Sequence, residues 1–289
     1  MRAFVKVSSN HDSAESARAG IAARVSMLLA LLLAPVLSWS GEDGETNNQA
    51  RLSFVKQILA EHTLQTADES ATTLKLTEEP AIWYTNPVRS ARGTGATFFW
   101  LNGSRPIAAV SLSIRDKGRL FRELTMLDDV PLKATRGGQP IWLPRKPGKT
   151  WASLPEAPRP GNSESVRLLQ MRSMSRRFQG RLIKDQLEGG SLRVLSKPLH
   201  RYHNADAGII DGAVFALVEA TDPEILLSFE ARSNEPGGAW HYRLARMTSR
   251  PSEVTLDGKP HWSTAAYWQN PRSPADPYIE GRAGTYEEK

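Results

Sequence analysis

A chain of 289 residues, 40% of them hydrophobic, can fill one large core or two small ones and is not compositionally disordered. It has no cysteine, which excludes disulfides, thiol catalysis, cysteine-ligated metals and a lipid-modified N-terminal cysteine. The net charge of +6 suits loose attraction to anionic surfaces and is too weak to argue for nucleic acid.

Residues 1–40 read as an export signal. Arg18 and Arg24 precede an apolar stretch from Val25 to Leu37, and Ser38-Trp39-Ser40 puts small residues at the cleavage positions before Gly41. The stretch is shorter than the roughly 20 apolar residues a membrane span requires, and no second apolar run follows it. The expected location is therefore periplasmic or extracellular, with no membrane span in the mature chain. Residues 41–48 form an acidic, polar leader. A helix is predicted next, capped by Asn48, with Leu52, Val55, Ile58 or Leu59, and His62 along one face.

Residues 73–142 and 191–262 look like two copies of one unit. Leu74, Pro80, Tyr84 and Asn86 fall on Leu192, Pro198, Tyr202 and Asn204 at one constant offset. After a one-residue slip, Gly95, Ala96, Phe98, Pro106 and Ser111 fall on Gly212, Ala213, Phe215, Pro223 and Ser228. After a three-residue insertion, Leu124, Pro131, Thr135, Gly138, Pro140 and Trp142 fall on Leu244, Pro251, Thr255, Gly258, Pro260 and Trp262.

Strands are predicted at Ala96 to Leu101 and Ile107 to Ile114 around the hairpin signal Asn102-Gly103. Further strands are predicted at Leu120 to Leu127, and at Leu132 to Thr135 and Pro140 to Leu143 around Gly137-Gly138. Residues 144–163 hold five prolines and read as a stiff connector, pinned by Trp151 and Leu154. A second helix is predicted from Glu164 to Lys184, capped by Ser163, with Leu168, Met171, Met174 or Ser175, Phe178 and Leu182 buried. The second copy then gives strands at Ala213 to Ala220, Glu224 to Ala231, Ala239 to Met247, Glu253 to Leu256 and Lys259 to Trp262, the last two joined at Asp257-Gly258. Residues 264–289 are a polar tail, partly without regular structure, with Tyr267, Trp268 and Tyr278 as tethers.

The expected fold class is α+β: an internally duplicated unit of helix plus antiparallel meander, the two halves related by a pseudo-twofold and packed as one domain. The segments are 1–40 signal, 41–48 leader, 49–143 first repeat, 144–163 connector, 164–263 second repeat and 264–289 tail.

The duplication serves as a control on candidate residues. Matched pairs such as Trp142 and Trp262 are assigned to folding, and unmatched residues are where function special to one half should lie. His200, His241 and His261 fall opposite Ile82, Phe121 and Ile141. They are either half-buried polar aromatics or a cluster for a metal such as zinc or for general-base work. Asp128 with Asp129, and Glu78 with Glu79, are the adjacent acids that glycoside hydrolysis could use, or simply solvated charges. Arg172 and Arg176, with Arg167, Arg177, Arg181 and Lys184, give the second helix a basic face. Such a face is either solvated or turned to a glycan, a lipid headgroup or an acidic partner. Trp83 could line a groove that stacks on a flat ligand, or pack in the core. The chain has no G-x-S-x-G elbow, H-E-x-x-H, P-loop or G-x-G-x-x-G, so no cofactor is expected.

The runs Pro198-Leu199-His200-Arg201-Tyr202, Asp211-Gly212-Ala213-Val214-Phe215-Ala216 and Thr221-Asp222-Pro223-Glu224-Ile225-Leu226-Leu227, with Arg172 to Phe178 before them, resemble a family of uncharacterised secreted bacterial proteins. The resemblance covers roughly residues 50–265. It implies an exported bacterial domain whose halves belong together, and it brings no activity and no catalytic residues. The expected function is a non-catalytic binding protein of the cell envelope or exterior. Its partner would be a glycan, a lipid or an anionic envelope component. The alternatives are a hydrolase, metal-assisted, with its site in the second repeat, and a structural or assembly protein.

Overall fold

The computed structural model describes residues 42–86, 93–145, 150–183, 190–234, 237–269 and 273–287. The expected signal segment and Lys184 lie outside the described residues. The chain divides into two compact units, Met1–Gly44 and Glu45–Lys289, and every strand among the described residues belongs to the second.

Helix α1 (Glu42–Ala60) leads into β1 (His62–Thr66), β2 (Lys75–Leu76), β3 (Ile82–Asn86), β4 (Gly93–Asn102), β5 (Arg105–Arg115), β6 (Arg119–Met126), β7 (Leu132–Arg136) and β8 (Gln139–Trp142). After β9 (Ala152–Ser153) come α2 (Glu164–Ser175), β10 (Phe178–Leu182), β11 (Ser191–Val194), β12 (His200–Asn204), β13 (Ile209–Glu219) and β14 (Asp222–Arg232). The chain ends with β15 (Ala239–Arg246), β16 (Ser252–Leu256), β17 (Lys259–Thr264) and β18 (Tyr278–Thr285).

Three antiparallel sheets result. One runs β18-β6-β5-β4-β2 with β3 also on β4, and a second runs β17-β16-β10-β11-β13-β14-β15-β9 with β12 also on β13. A small third sheet is β1-β7-β8. Among the described residues no helix is long and apolar enough to cross a membrane.

The central strands are buried on both faces, which explains their near-continuous apolar runs. Along β13, Ala213, Phe215 and Leu217 face a core shared with α2 and the connector, while Val214, Ala216 and Val218 face the other way. That second face meets Phe99, Ala109 and Leu127 from the first sheet. The opposite side of the first sheet buries Phe98, Trp100, Val110 and Leu112 beneath Val55 and Leu59 of α1. Helices cover the outer faces, and the two large sheets meet in the middle.

The α+β expectation is corrected. Strands make up 53% of the structure and helix 15%, with two α-helices among the described residues, so the fold is mainly β. The units are not helix-plus-meander repeats either. β1 pairs with β7, far along the chain, and β2 and β3 both pair with β4. The second half contributes to one nine-stranded sheet, whereas the first is divided between sheets of six and three strands. Helix α2 is shorter than its spacing predicts. It stops at Ser175, and Phe178, Gly180 and Leu182 continue at the period of a strand paired with β16 and β11. The tail, expected to be partly without structure, supplies β18 along the edge of β6. Helix α1 begins at Glu42, inside the expected leader, and His62 opens β1 rather than ending the helix.

Two buried tyrosines lie directly across from glycines. Tyr84 faces Gly95 between β3 and β4, and Tyr202 faces Gly212 between β12 and β13. A Cβ on Gly95 would stand 2.5 Å from the Tyr84 ring, and one on Gly212 2.6 Å from the Tyr202 ring. The glycine is therefore required by the ring laid across it. Gly212→Ala should cost about 1–3 kcal/mol of stability through this clash, read as a lower urea midpoint with an unchanged slope.

Candidate ligand-binding cavity

The two large sheets are fastened by charges as well as by apolar contact. Glu230 on β14 is fully buried. Its carboxylate accepts from Arg105 Nε at 2.8 Å, Tyr202 Oη at 2.9 Å and Arg232 Nη2 at 2.6 Å. Arg105 also pairs with Asp128, and Arg243 Nη1 donates to Asp129 at 2.5 Å. The Arg105 and Arg232 guanidiniums flank the Trp151 ring at 5.7 and 4.9 Å. Burial, then the Glu230 charge, pushes the Tyr202 phenol well above its ordinary value.

Three of the sequence-predicted residues, Asp128, His200 and His241, lie beside this framework. Asp128 is a clamp residue, its second oxygen accepting from the Asp129 amide at 2.7 Å. His200 reaches across to the Ser104 carbonyl at 2.9 Å and stacks on Tyr202. His261 shares a 2.6 Å hydrogen bond with the Tyr242 hydroxyl beside Phe178, on a different core from His200. His241 sits in register between Glu230 and Ser153. The three histidines do not converge, and among the described residues no group of three or more His, Asp or Glu is arranged to hold a metal ion.

Trp83 packs against the first core, with its indole nitrogen buried and unpartnered. The basic face of α2 is dismantled by its own contacts. Arg167 is buried against Asp211, Arg172 donates to the Ser196 carbonyl, and Arg177 pairs with Asp257. Arg181 lies on β10 and pairs with Glu253. Arg176 is exposed at the end of the helix. Glu78 and Glu79 pair with Lys75 and Lys56 on the surface.

The buried acid pair that sequence reasoning missed is Glu123 and Glu280, directly opposite each other on β6 and β18. Arg115 donates to Glu280 at 2.6 Å and Trp268 Nε1 at 2.8 Å, while Tyr278 Oη donates to Glu123 at 2.6 Å. Burial, then the neighbouring Glu280 charge, pushes the Glu123 carboxyl up to about 8. Glu123 is thus an uncharged acid at neutral pH.

Tyr278 also forms one wall of a cavity of about 400 Å³. Thr125 and Met126 of β6, Arg243 to Arg246 of β15, Trp262 to Thr264 of β17, and Tyr267, Asp276 and Pro277 complete it. Trp142 and Trp262, matched in sequence and both assigned to folding, have different places. Trp142 is fully buried, donating to the Asp276 carbonyl at 2.8 Å, while Trp262 lines the cavity.

Two arginines meet this space. Arg243 is spent on Asp129 and the Asp128 carbonyl, with its buried Nε unpartnered. Arg246 lies 4.8 Å over the Tyr278 ring and 5.8 Å from the Tyr267 ring. It donates to the carbonyls of Thr248 and, at 3.4 Å, Arg250. Among the described residues Arg246 has no carboxylate within ion-pairing distance and its Nη1 has no acceptor. Burial lowers the pKa of both arginines. The signal available in the sequence was a mismatch between the copies: aligning Leu124 with Leu244 sets Glu123 opposite Arg243 and Met126 opposite Arg246.

The titrations make stability depend on pH from both sides. Glu123 keeps its proton in the fold but loses it near 4.5 when unfolded, so its contribution declines as pH rises from about 4.5 to about 8. His62 is held neutral by burial and by Arg122, its pKa lowered from 6.5 to about 4. Its contribution is complete above 6.5 and is lost as pH falls toward 4. Denaturant melts across this range should show a maximum between the two limbs. Glu123→Gln should abolish the loss on the alkaline limb and exceed the wild type in stability at pH 8.

Compared with known proteins, the chain matches no family model, no curated protein and no solved structure.

Proposed function

We infer that this chain is a small-molecule binding protein whose ligand occupies the cavity between β6, β15, β17 and the segment leading into β18. The observation that carries this reading is the cavity wall. Arg246, which has no ionic partner among the described residues, lies against two tyrosine rings and shares a space of about 400 Å³ with Trp262. Ligand sites typically have volumes of about 300–1,000 Å³, apolar and aromatic walls and a few fixed polar groups.

A non-catalytic role fits better than hydrolysis. Glu123, an acid of raised pKa beside the cavity, is buried, and the hydroxyl on the cavity side of it is already donated to its carboxyl. A general acid must reach the proton's destination to within a hydrogen bond. Export to the periplasm or exterior, expected from the apolar run before Gly41, and kinship with secreted bacterial proteins are part of the same proposal.

The test uses Ser263, an exposed residue on the cavity wall. A panel of small aromatic compounds is screened by thermal shift with the full chain, since binding to the native state raises the melting midpoint. Ser263→Trp should fill the opening, leave the unliganded midpoint unchanged and abolish every shift. Shifts that survive the substitution would place the ligand elsewhere and defeat the proposal.

A further inference from the structure

The charges around the cavity do not cancel where they stand, and their arrangement specifies a ligand more narrowly than its volume does. Arg243 is neutralised by Asp129. Behind the Tyr278 wall, Glu280 is neutralised by Arg115, and Glu123 shares its proton-bearing carboxyl with the Tyr278 hydroxyl. Among the described residues two charges then remain on the wall, Arg246 and Asp276. The Asp276 carboxylate accepts from the Ser273 amide at 3.1 Å, and among the described residues it has no basic side chain within ion-pairing distance. Arg246 and Asp276 are not paired with each other. Among the described residues the cavity wall therefore offers one cation and one anion that are not paired with each other.

A ligand bearing one charge would satisfy one of these groups and crowd the other. A ligand bearing both signs would meet each with its opposite. We propose that the cavity takes an aromatic zwitterion of the α-amino acid class, with its carboxylate on Arg246, its ammonium toward Asp276 and its ring against Trp262 and Tyr267. This rests on the ligand-binding reading above and names the class of ligand. The tyrosine rings under Arg246 hold its guanidinium in place, leaving Nη1 to donate. Trp262 and Tyr267 line the same space, Trp262 half-buried against the second core and Tyr267 buried beside Arg246 and Tyr278. Thr125 and Ser263 add hydroxyls to the same wall.

Three probes share a phenyl ring and carry different charges, phenylacetate having a chain one carbon shorter: phenylalanine, phenylacetate and phenethylamine. Isothermal titration of the full chain at neutral pH should rank phenylalanine first. Its margin over each of the others should be about tenfold, the worth of one charge-assisted hydrogen bond. Arg246→Gln should erase the advantage over phenethylamine, and Asp276→Asn the advantage over phenylacetate. Each variant is checked for an unchanged melting midpoint, and the ranking on the unaltered chain stands whether or not a variant folds. Phenylacetate or phenethylamine binding as tightly as phenylalanine would overturn the zwitterion and leave the cavity a ligand site. Saturable binding by none of the three would overturn the cavity reading itself.

Discussion

Glu230 lies on β14 with no exposed surface, and a carboxylate in that position is tolerable only when its charge is met by donors fixed in place. Its donors come from both large sheets, Arg105 from one and Tyr202 and Arg232 from the other. A one-residue slip between the sheets would leave that charge buried and unpaired. The relative placement of β5 and β14 is therefore specified more sharply than apolar packing alone would specify it. The hydroxyls of Ser104 and Thr221, in turns of opposite sheets, add to this by bonding the carbonyls of His203 and Thr85. Because β6 is paired with β5 and β15 with β14, the same constraint sets the two sides of the cavity.

The apolar layers explain why the fold is mainly β. Strands β13 and β14 carry large side chains on both faces, and a strand of that kind is stable only inside a stack. The helices are needed to cover the outer faces, which two short elements can do. Helix α2 is tied down through Arg167 to Asp211 on β13, and Arg201 of β12 meets the same carboxylate. The basic residues expected to form a binding surface are mostly used up in this way. Their helical spacing suggests an exposed face, and their partners make them anchors.

The two ends of the interface between sheets have different electrostatic characters. At one end Glu230 and Asp128 are matched by Arg105 and Arg232, with Trp151 against the guanidiniums. At the other, Glu123 and Glu280 face each other with Arg115 as the cation joined to the pair, and the system sheds its excess charge by keeping Glu123 protonated. The cavity opens beside this second end, so its wall combines a neutral acid behind Tyr278 with a half-buried arginine and an aspartate. Recognition of a ligand there would depend on charges that the folding framework has left over.

Much of the local structure was legible in the residues. Asn102-Gly103 and Asp257-Gly258 mark real turns, with positive φ at Gly103, Asp257 and Gly258. Ser163 caps α2 by accepting from the Val166 amide, and the apolar runs of β4, β5, β13, β14 and β15 mark strands. These features are written in a few neighbouring residues, because dihedral preference and side-chain alternation act over one turn or one strand. The tertiary structure alone decided the rest: that the tail returns as β18 to bring Glu280 against Glu123, that Asp128 pairs with Arg105 across the sheets, that His261 lies on a different core from His200, and that Trp262 borders a cavity while Trp142, its match in sequence, is sealed. Each of these depends on a partner distant in the chain, and the cost of burying a charge or an indole is set by that partner rather than by its sequence neighbours.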